Sequence, residues 1–214
     1  MKLLLRCLAT LSVCLYTWVS LGADLHTSGP VVVLGDSLSA AYGLDPQQGW
    51  VALLRRRLAD AGYGQPVVNA SVSGETTSGG RARIARVLGT HAPSVVIVEL
   101  GANDALRGLP VAQIEDNLVA MVGAIRSAHA AALLVAVPVP GNYGKEYADA
   151  VDGAYRNAAS RTRVRLVPSL LAGIATVAGN FQADRLHPVA EVQPQMLENV
   201  WPALRPMLTS PLRR

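Results

Sequence analysis

The sequence predicts a doubly wound α/β fold around a parallel sheet of about five strands, and three observations predict it. Short, almost uninterrupted β-branched runs alternate with longer amphipathic stretches. Pro and Gly stand at the joints between them. The polar, Gly-bearing segments follow the apolar runs, as expected where ligands bind beyond the carboxyl ends of parallel strands.

The strand candidates are 31–34, 67–70, 95–100, 133–137 and 164–167. Each is apolar at nearly every position, the pattern of a strand covered on both faces. The helical patterns fall at 48–61, 80–88, 111–129, 144–162 and 194–207. Strand followed by helix, repeated, argues for parallel strands joined by crossovers. With 214 residues, half of them apolar and 16% charged, the chain is able to bury one full core. No repeat or low-complexity tract divides it.

Residues 1–23 read as a secretory signal peptide. Lys2 and Arg6 precede an apolar stretch from Cys7 to Leu21, and Gly22 and Ala23 close it. The stretch is shorter than the ~20 residues that a membrane span requires. A lipoprotein reading through Cys14 is weakened by Val13 in front of it. Cleavage after Ala23 leaves a domain over 24–214 with no stable membrane span, in the periplasm or outside a bacterial cell. The formal charge of +4 then drops to about +2, too little to imply nucleic acid. Arg55, Arg56 and Arg57 form a run, but on a helix they point different ways. Both cysteines, Cys7 and Cys14, leave with the segment, so the mature chain has no thiol nucleophile and no Cys metal ligand.

Acyl transfer needs a nucleophile, a base, a group to orient the base, and donors for the developing oxyanion. Ser37 stands where the first strand ends, in Gly-Asp-Ser-Leu-Ser, with Gly35 permitting a tight turn. Alone it reads as a helix N-cap. The base is chosen from His26, His91, His129 and His187. His26 is near the new terminus, His91 precedes a strand, and His129 ends a helix, where a cation suits the dipole. His187 lies three residues after Asp184 in Asp-Arg-Leu-His-Pro. In a turn that spacing brings the carboxylate to Nδ1 and leaves Nε2 for Ser37. The N–H groups of Ser37 and Gly74 and the Asn103 side-chain amide are the oxyanion candidates, each worth ~3 kcal/mol in the transition state.

Taken together, four blocks resemble the GDSL or SGNH hydrolase family: Gly-Asp-Ser-Leu-Ser at 35–39, Asn69 to Gly74, Gly-Ala-Asn-Asp at 101–104 and Asp-Arg-Leu-His-Pro at 184–188. Within it, Val-Glu-Leu-Gly-Ala-Asn-Asp-Ala-Leu-Arg-Gly and Gly-Asn-Tyr-Gly are similar to the branch of bacterial periplasmic thioesterases, lysophospholipases and arylesterases. The resemblance spans essentially the whole mature chain. It implies a flavodoxin-like three-layer α/β/α sandwich, a Ser37–His187–Asp184 triad, an oxyanion hole of Ser37, Gly74 and Asn103, and no cofactor or metal. Ala102 stands where the branch commonly has a second Gly, and Arg185-Leu186 where it has a smaller Gly-Ile pair.

The implied substrate is a small-molecule acyl ester or thioester: acyl-CoA, lysophospholipid or an aryl ester. Leu106, Leu109, Val111 and Val139 make the loops apolar. Leu106 and Leu109, with Asn142 and Tyr143 of the Gly-Asn-Tyr-Gly stretch, are the substrate-binding candidates. A carbohydrate acetylesterase would use the same triad in a more polar cleft. A flavodoxin-type phosphate binder explains Gly35 and Ser37 but not Asp184 and His187, and the chain has no Gly-Lys-Ser/Thr or Gly-x-Gly-x-x-Gly motif.

Overall fold

Five strands form one parallel sheet in the order β2-β1-β3-β4-β5: β1 Val31–Gly35, β2 Val67–Asn69, β3 Val95–Glu99, β4 Ala131–Val135 and β5 Arg165–Val167. The structure, a computed structural model, describes residues 29–209. The expected signal segment 1–23 lies outside them. Among the described residues no helix is long and apolar enough to cross a membrane.

Successive side chains of a strand point to opposite faces, and here both faces are covered. Val32, Leu34, Val96 and Val98 belong to the core beneath α2 Thr77–His91, α4 Val111–Ser127 and α5 Lys145–Thr162. Val31, Val33, Val95 and Ile97 belong to the opposite core beneath α1 Trp50–Asp60 and α6 Gln193–Leu204. The result is the expected three-layer α/β/α sandwich. The first and last long helices are tied together where the Trp50 N–H donates to Gln193 Oε1 at 3.0 Å.

The strand order reverses between β1 and β3, because the chain leaves β1 toward β2 on one side and returns to β3 on the other. The segments leaving their carboxyl ends therefore run to opposite sides, and a crevice opens between them. Ser37 follows β1, and Asn103 follows β3.

The structure departs from the sequence reading in places that shape the site. A short helix, α3 Ala102–Leu106, directly follows β3; five residues are too few to display a helical period. Helix α2 starts at Thr77, ahead of the expected 80. The Thr76 hydroxyl accepts the Gly79 N–H at 3.2 Å, and the buried Asp104 carboxylate accepts the Thr77 N–H at 2.8 Å and its hydroxyl at 2.5 Å. These side-chain acceptors let the helix absorb Gly79 and Gly80. Ser37 does not open a helix: turns occupy the chain until Trp50.

Gly35 is also not a turn residue. It ends β1, and a Cβ there would lie 2.7 Å from both Glu99 Oε2 and Ser39 Oγ. Close approach of a buried carboxyl, not a left-handed turn, requires glycine at this position.

Candidate active site

The loop between β5 and α6 is built to hold one acid–base pair. Phe181 bridges Pro188 in antiparallel fashion, the Gln182 N–H donates to the His187 carbonyl at 2.8 Å, and the Val189 N–H donates to the Asn180 carbonyl at 2.9 Å. Within this clasp Asp184 Oδ1 accepts the N–H groups of Leu186 and His187 at 2.9 and 3.1 Å. That Asx-type turn leaves Oδ2 facing the imidazole, 2.6 Å from His187 Nδ1. Arg185 pays for the turn with φ +60°, a left-handed conformation that its Cβ disfavours.

His187 Nε2 lies 2.8 Å from Ser37 Oγ. With the Nδ1 proton directed to Asp184, Nε2 is the acceptor for the Ser37 O–H. The three side chains form one continuous relay: hydroxyl to imidazole to carboxylate. The Asp184 carboxyl is pushed down to about 2, chiefly by its bond to His187 and next by the Leu186 N–H. Asp184 therefore stays ionised at any ordinary pH and holds the imidazole in the tautomer that accepts from Ser37. Tyr42, 52% exposed, lies over the His187 ring with centroids 4.5 Å apart. Its carbonyl accepts Gln182 Nε2–H at 2.9 Å, which ties the turn after Ser37 to the late loop.

Asn103, on α3, enters from the far side of the crevice. Its Nδ2 donates to Asp36 Oδ2 at 3.0 Å. Ser37, Asn103 and His187 line one cleft of about 880 Å³. Most of the cleft wall is apolar: Leu106, Val137, Val139, Leu171, Phe181 and Leu186 contribute to it.

The sequence candidates divide against this cleft. Ser37, Asn103, His187, Leu106 and Val139 line it. Gly74 does not. It sits at φ +79°, and its carbonyl accepts an Arg107 N–H at 2.9 Å, so the loop after β2 is fastened to the end of α3. Leu109, Asn142 and Tyr143 also fall outside the lining. The turn ending α3 carries Leu109 away, its N–H donating to the Asp104 carbonyl at 3.0 Å. Asn142 is exposed, and the Tyr143 hydroxyl donates to the Leu106 carbonyl at 3.1 Å, buttressing the wall from behind. Val111 packs on the core beneath α4.

Leu171, Phe181 and Leu186 are wall residues that the sequence reading did not single out. They come from loops whose convergence depends on the tertiary fold, and no spacing rule signals them. Two buried acids near Ser37, Asp36 and Glu99, have no role in the acyl-transfer reading of the sequence. Asp36 is 1% exposed, and burial pushes its carboxyl up to about 6 against the bonds from the Leu38 N–H and Asn103. Glu99, fully buried, is raised well above its usual range, first by burial and then by the charge of Asp36.

Comparison with known proteins shows the family. A family model described as the GDSL-like Lipase/Acylhydrolase family matches residues 33–193. Esterase TesA of Pseudomonas aeruginosa is 48% identical over 178 residues, covering 83% of this chain and 89% of that protein. Thioesterase 1/protease 1/lysophospholipase L1 of Escherichia coli K12 is 35% identical over 178 residues, covering 83% and 84% of the two chains. Among solved structures, the psychrotrophic esterase EstA from Pseudoalteromonas sp., in a form inhibited by monoethylphosphonate, aligns with a TM-score of 0.79 at 34% identity. That alignment covers 84% of this chain and 98% of the other.

Proposed function

The chain belongs to the GDSL-like lipase/acylhydrolase family and is a serine hydrolase of carboxylic esters and thioesters, and from that premise we propose that Ser37 carries the acyl group, with His187 as base and Asp184 as its orienting acid. The observation that carries the assignment is the unbroken path from Ser37 Oγ through both ring nitrogens of His187 to Asp184, at 2.8 and 2.6 Å.

In the proposed cycle His187 Nε2 takes the Ser37 proton as Oγ attacks the acyl carbon. The developing oxyanion is met by the Ser37 N–H, the Asn103 amide and, on the strength of the family resemblance, the Gly74 N–H. The imidazolium then returns its proton to the leaving oxygen or sulfur, and an acyl-enzyme remains on Ser37. A water, deprotonated by His187, releases the acid and restores the hydroxyl. The donors grip only the carbonyl, so alcohol and thiol leaving groups are both served.

The apolar wall supports fatty acyl groups over acetylated sugars, since each buried CH₂ contributes about 0.8 kcal/mol. Lysophospholipid and acyl-CoA are the substrates proposed. The N-terminal pattern supports export, with the mature enzyme in the periplasm or outside the cell and starting at Asp24. N-terminal sequencing of exported protein checks that start.

Two measurements test the reading. An alkyl fluorophosphonate should label Ser37 alone, and Ser37→Ala should remain folded yet inactive; labelling at Ser39 or Ser73 with Ser37 unmarked would overturn it. On p-nitrophenyl esters, kcat/KM should climb from acetyl to about octanoyl. Leu106→Ser should flatten the climb, whereas Leu109→Ser, outside the cleft wall, should not. A preference for acetate in the wild type would shift the assignment to an acetylesterase.

A further inference from the structure

Beneath Ser37 lies a polar cluster that none of the acyl-transfer steps employs. Glu99, at the end of β3, reaches across to the end of β1. Its Oε2 accepts the Ser39 hydroxyl at 2.6 Å and the Asp36 N–H at 3.4 Å. The Asp36 carboxylate turns the other way: Oδ1 accepts the Leu38 N–H at 3.0 Å and Oδ2 accepts Asn103 Nδ2–H at 3.0 Å. Two carboxyl groups buried side by side are costly. Their arrangement has a consequence for the one side-chain donor of the oxyanion hole.

A primary amide nitrogen carries two hydrogens in the amide plane, and its oxygen carries none. Rotating an Asn side chain by half a turn exchanges the two with almost no change in shape. A group that touches Asn103 and only accepts therefore decides which end faces it. An ionised carboxylate is such a group, because an amide oxygen turned toward it would be repelled. With one Nδ2 hydrogen given to Asp36, the other is left for the cleft that Asn103 shares with Ser37 and His187.

We propose that Asp36 is a positioning residue for the oxyanion hole: its carboxylate selects the rotamer of Asn103 that presents N–H to the reacting carbonyl, and Glu99 anchors Asp36 from behind. The proposal rests on the oxyanion reading of Asn103. Asp36, raised to about 6 by burial, is ionised at neutral pH, and the Glu99 carboxyl beside it is raised well above its usual range. The titratable groups that face Asp36 are Glu99 from β3, Asp104 from α3 and His187 from the late loop.

Asp36→Asn tests the idea because it keeps shape and removes only the double acceptor. Both Asp36 oxygens receive N–H donors, so an amide at this position must turn its NH₂ toward one of them. Either a contact is lost, or Asn103 rotates and offers its oxygen to the cleft. The experiment is a cycle of wild type, Asp36→Asn, Asn103→Ala and the double variant, read with p-nitrophenyl butyrate. Asn103→Ala should lower kcat by about 10² to 10³. Asp36→Asn should lower it by at least about tenfold and by no more than Asn103→Ala, with KM changed less than about twofold. The double variant should match Asn103→Ala within about twofold. Losses that multiply in the double variant, or a change confined to KM, overturn the positioning role while the oxyanion reading stands. A wild-type kcat in Asn103→Ala removes the oxyanion reading and the proposal with it.

A second measurement needs no variant at position 36 to fold. The ¹⁵N side-chain amide signals of Asn103, identified by their loss in Asn103→Ala, should shift through one ionisation between about pH 4 and 8. The shift should persist in His187→Ala. Signals that stay fixed across that range, or that stop moving when His187 is gone, count against the contact.

Discussion

Asp184 and Asp36 flank the same serine, and their surroundings drive their carboxyls in opposite directions. Asp184 sits on a surface loop with its side chain 37% exposed, receives N–H donors from Leu186 and both the backbone and ring of His187, and is pushed down to about 2. Asp36, directly after the end of β1, is buried, and burial outweighs its donors and lifts it to about 6. The difference teaches how one residue type serves two ends. Under the proposed roles, a carboxylate that must remain charged to orient a base is kept near water and given several donors. One that only needs to accept from a neutral amide is tolerated in the dry interior, at the cost of a charge that turns off in mild acid.

The largest expected effects test whether the surface loop, more than the buried pair, carries the proton chemistry. His187→Ala should lower kcat/KM for p-nitrophenyl butyrate by on the order of 10⁵, and Asp184→Ala by about 10⁴, because Asp184 orients the base without itself moving the proton. Full activity in His187→Ala would point to His91 or His129 and dissolve the contrast.

A smaller effect reads the two carboxyls through stability. The folded-state pKa of Asp184 is depressed, so its stabilisation is complete above about pH 4 and fades as pH falls toward 2. That of Asp36 is raised, so its contribution is complete below about pH 4 and is lost as pH climbs through 6. Denaturant midpoints should therefore converge for wild type and Asp184→Asn on acidification below about pH 4. For wild type measured against Asp36→Asn, the difference should move against the wild type as pH rises from about 4 to 7. Curves that run parallel in both cases would show that the two sites do not differ as described.

The smallest effect concerns the loop alone. Arg185 holds φ +60°, so Arg185→Gly should relieve strain and raise unfolding stability by about 1 kcal/mol or less, after the glycine's greater freedom in the unfolded chain is subtracted. A drop in stability would mean that the guanidinium makes a compensating contact.

What was legible in the sequence follows the same division between near and far. The runs 31–34 of β1 and 95–98 of β3 are apolar at every position, because both faces are covered, and this pattern needs no partner to be recognised. Asp184 and His187 are three residues apart, and their turn is written locally. Glu99 is also visible as a letter, but its meaning comes from Asp36 and Ser39, 63 and 60 residues away. The same holds for Gly35, whose reason is the carboxyl of Glu99 and not a turn. Leu109 and Tyr143 look like cleft residues from their positions in apolar, family-like segments. A five-residue helix and a hydrogen bond to Leu106 direct them elsewhere. Ser37 and Asn103, whose contacts lie 150 and 67 residues away, were named only because their motifs resemble a family, whereas Glu99 stands in none of the four blocks.

The separation of 150 residues between Ser37 and His187 also has a consequence in time. Synthesis proceeds from the N-terminus, so Ser37 and Asn103 emerge long before His187. The clasp bearing Asp184 and His187 is followed closely by α6, which docks through Gln193 onto the N-terminal end of α1. Until that last helix closes on the first, no imidazole stands beside Ser37. On the proposed assignment, a partly made chain holds Ser37 without its base, and ester hydrolysis begins only once the loop bearing His187 has been made and folded.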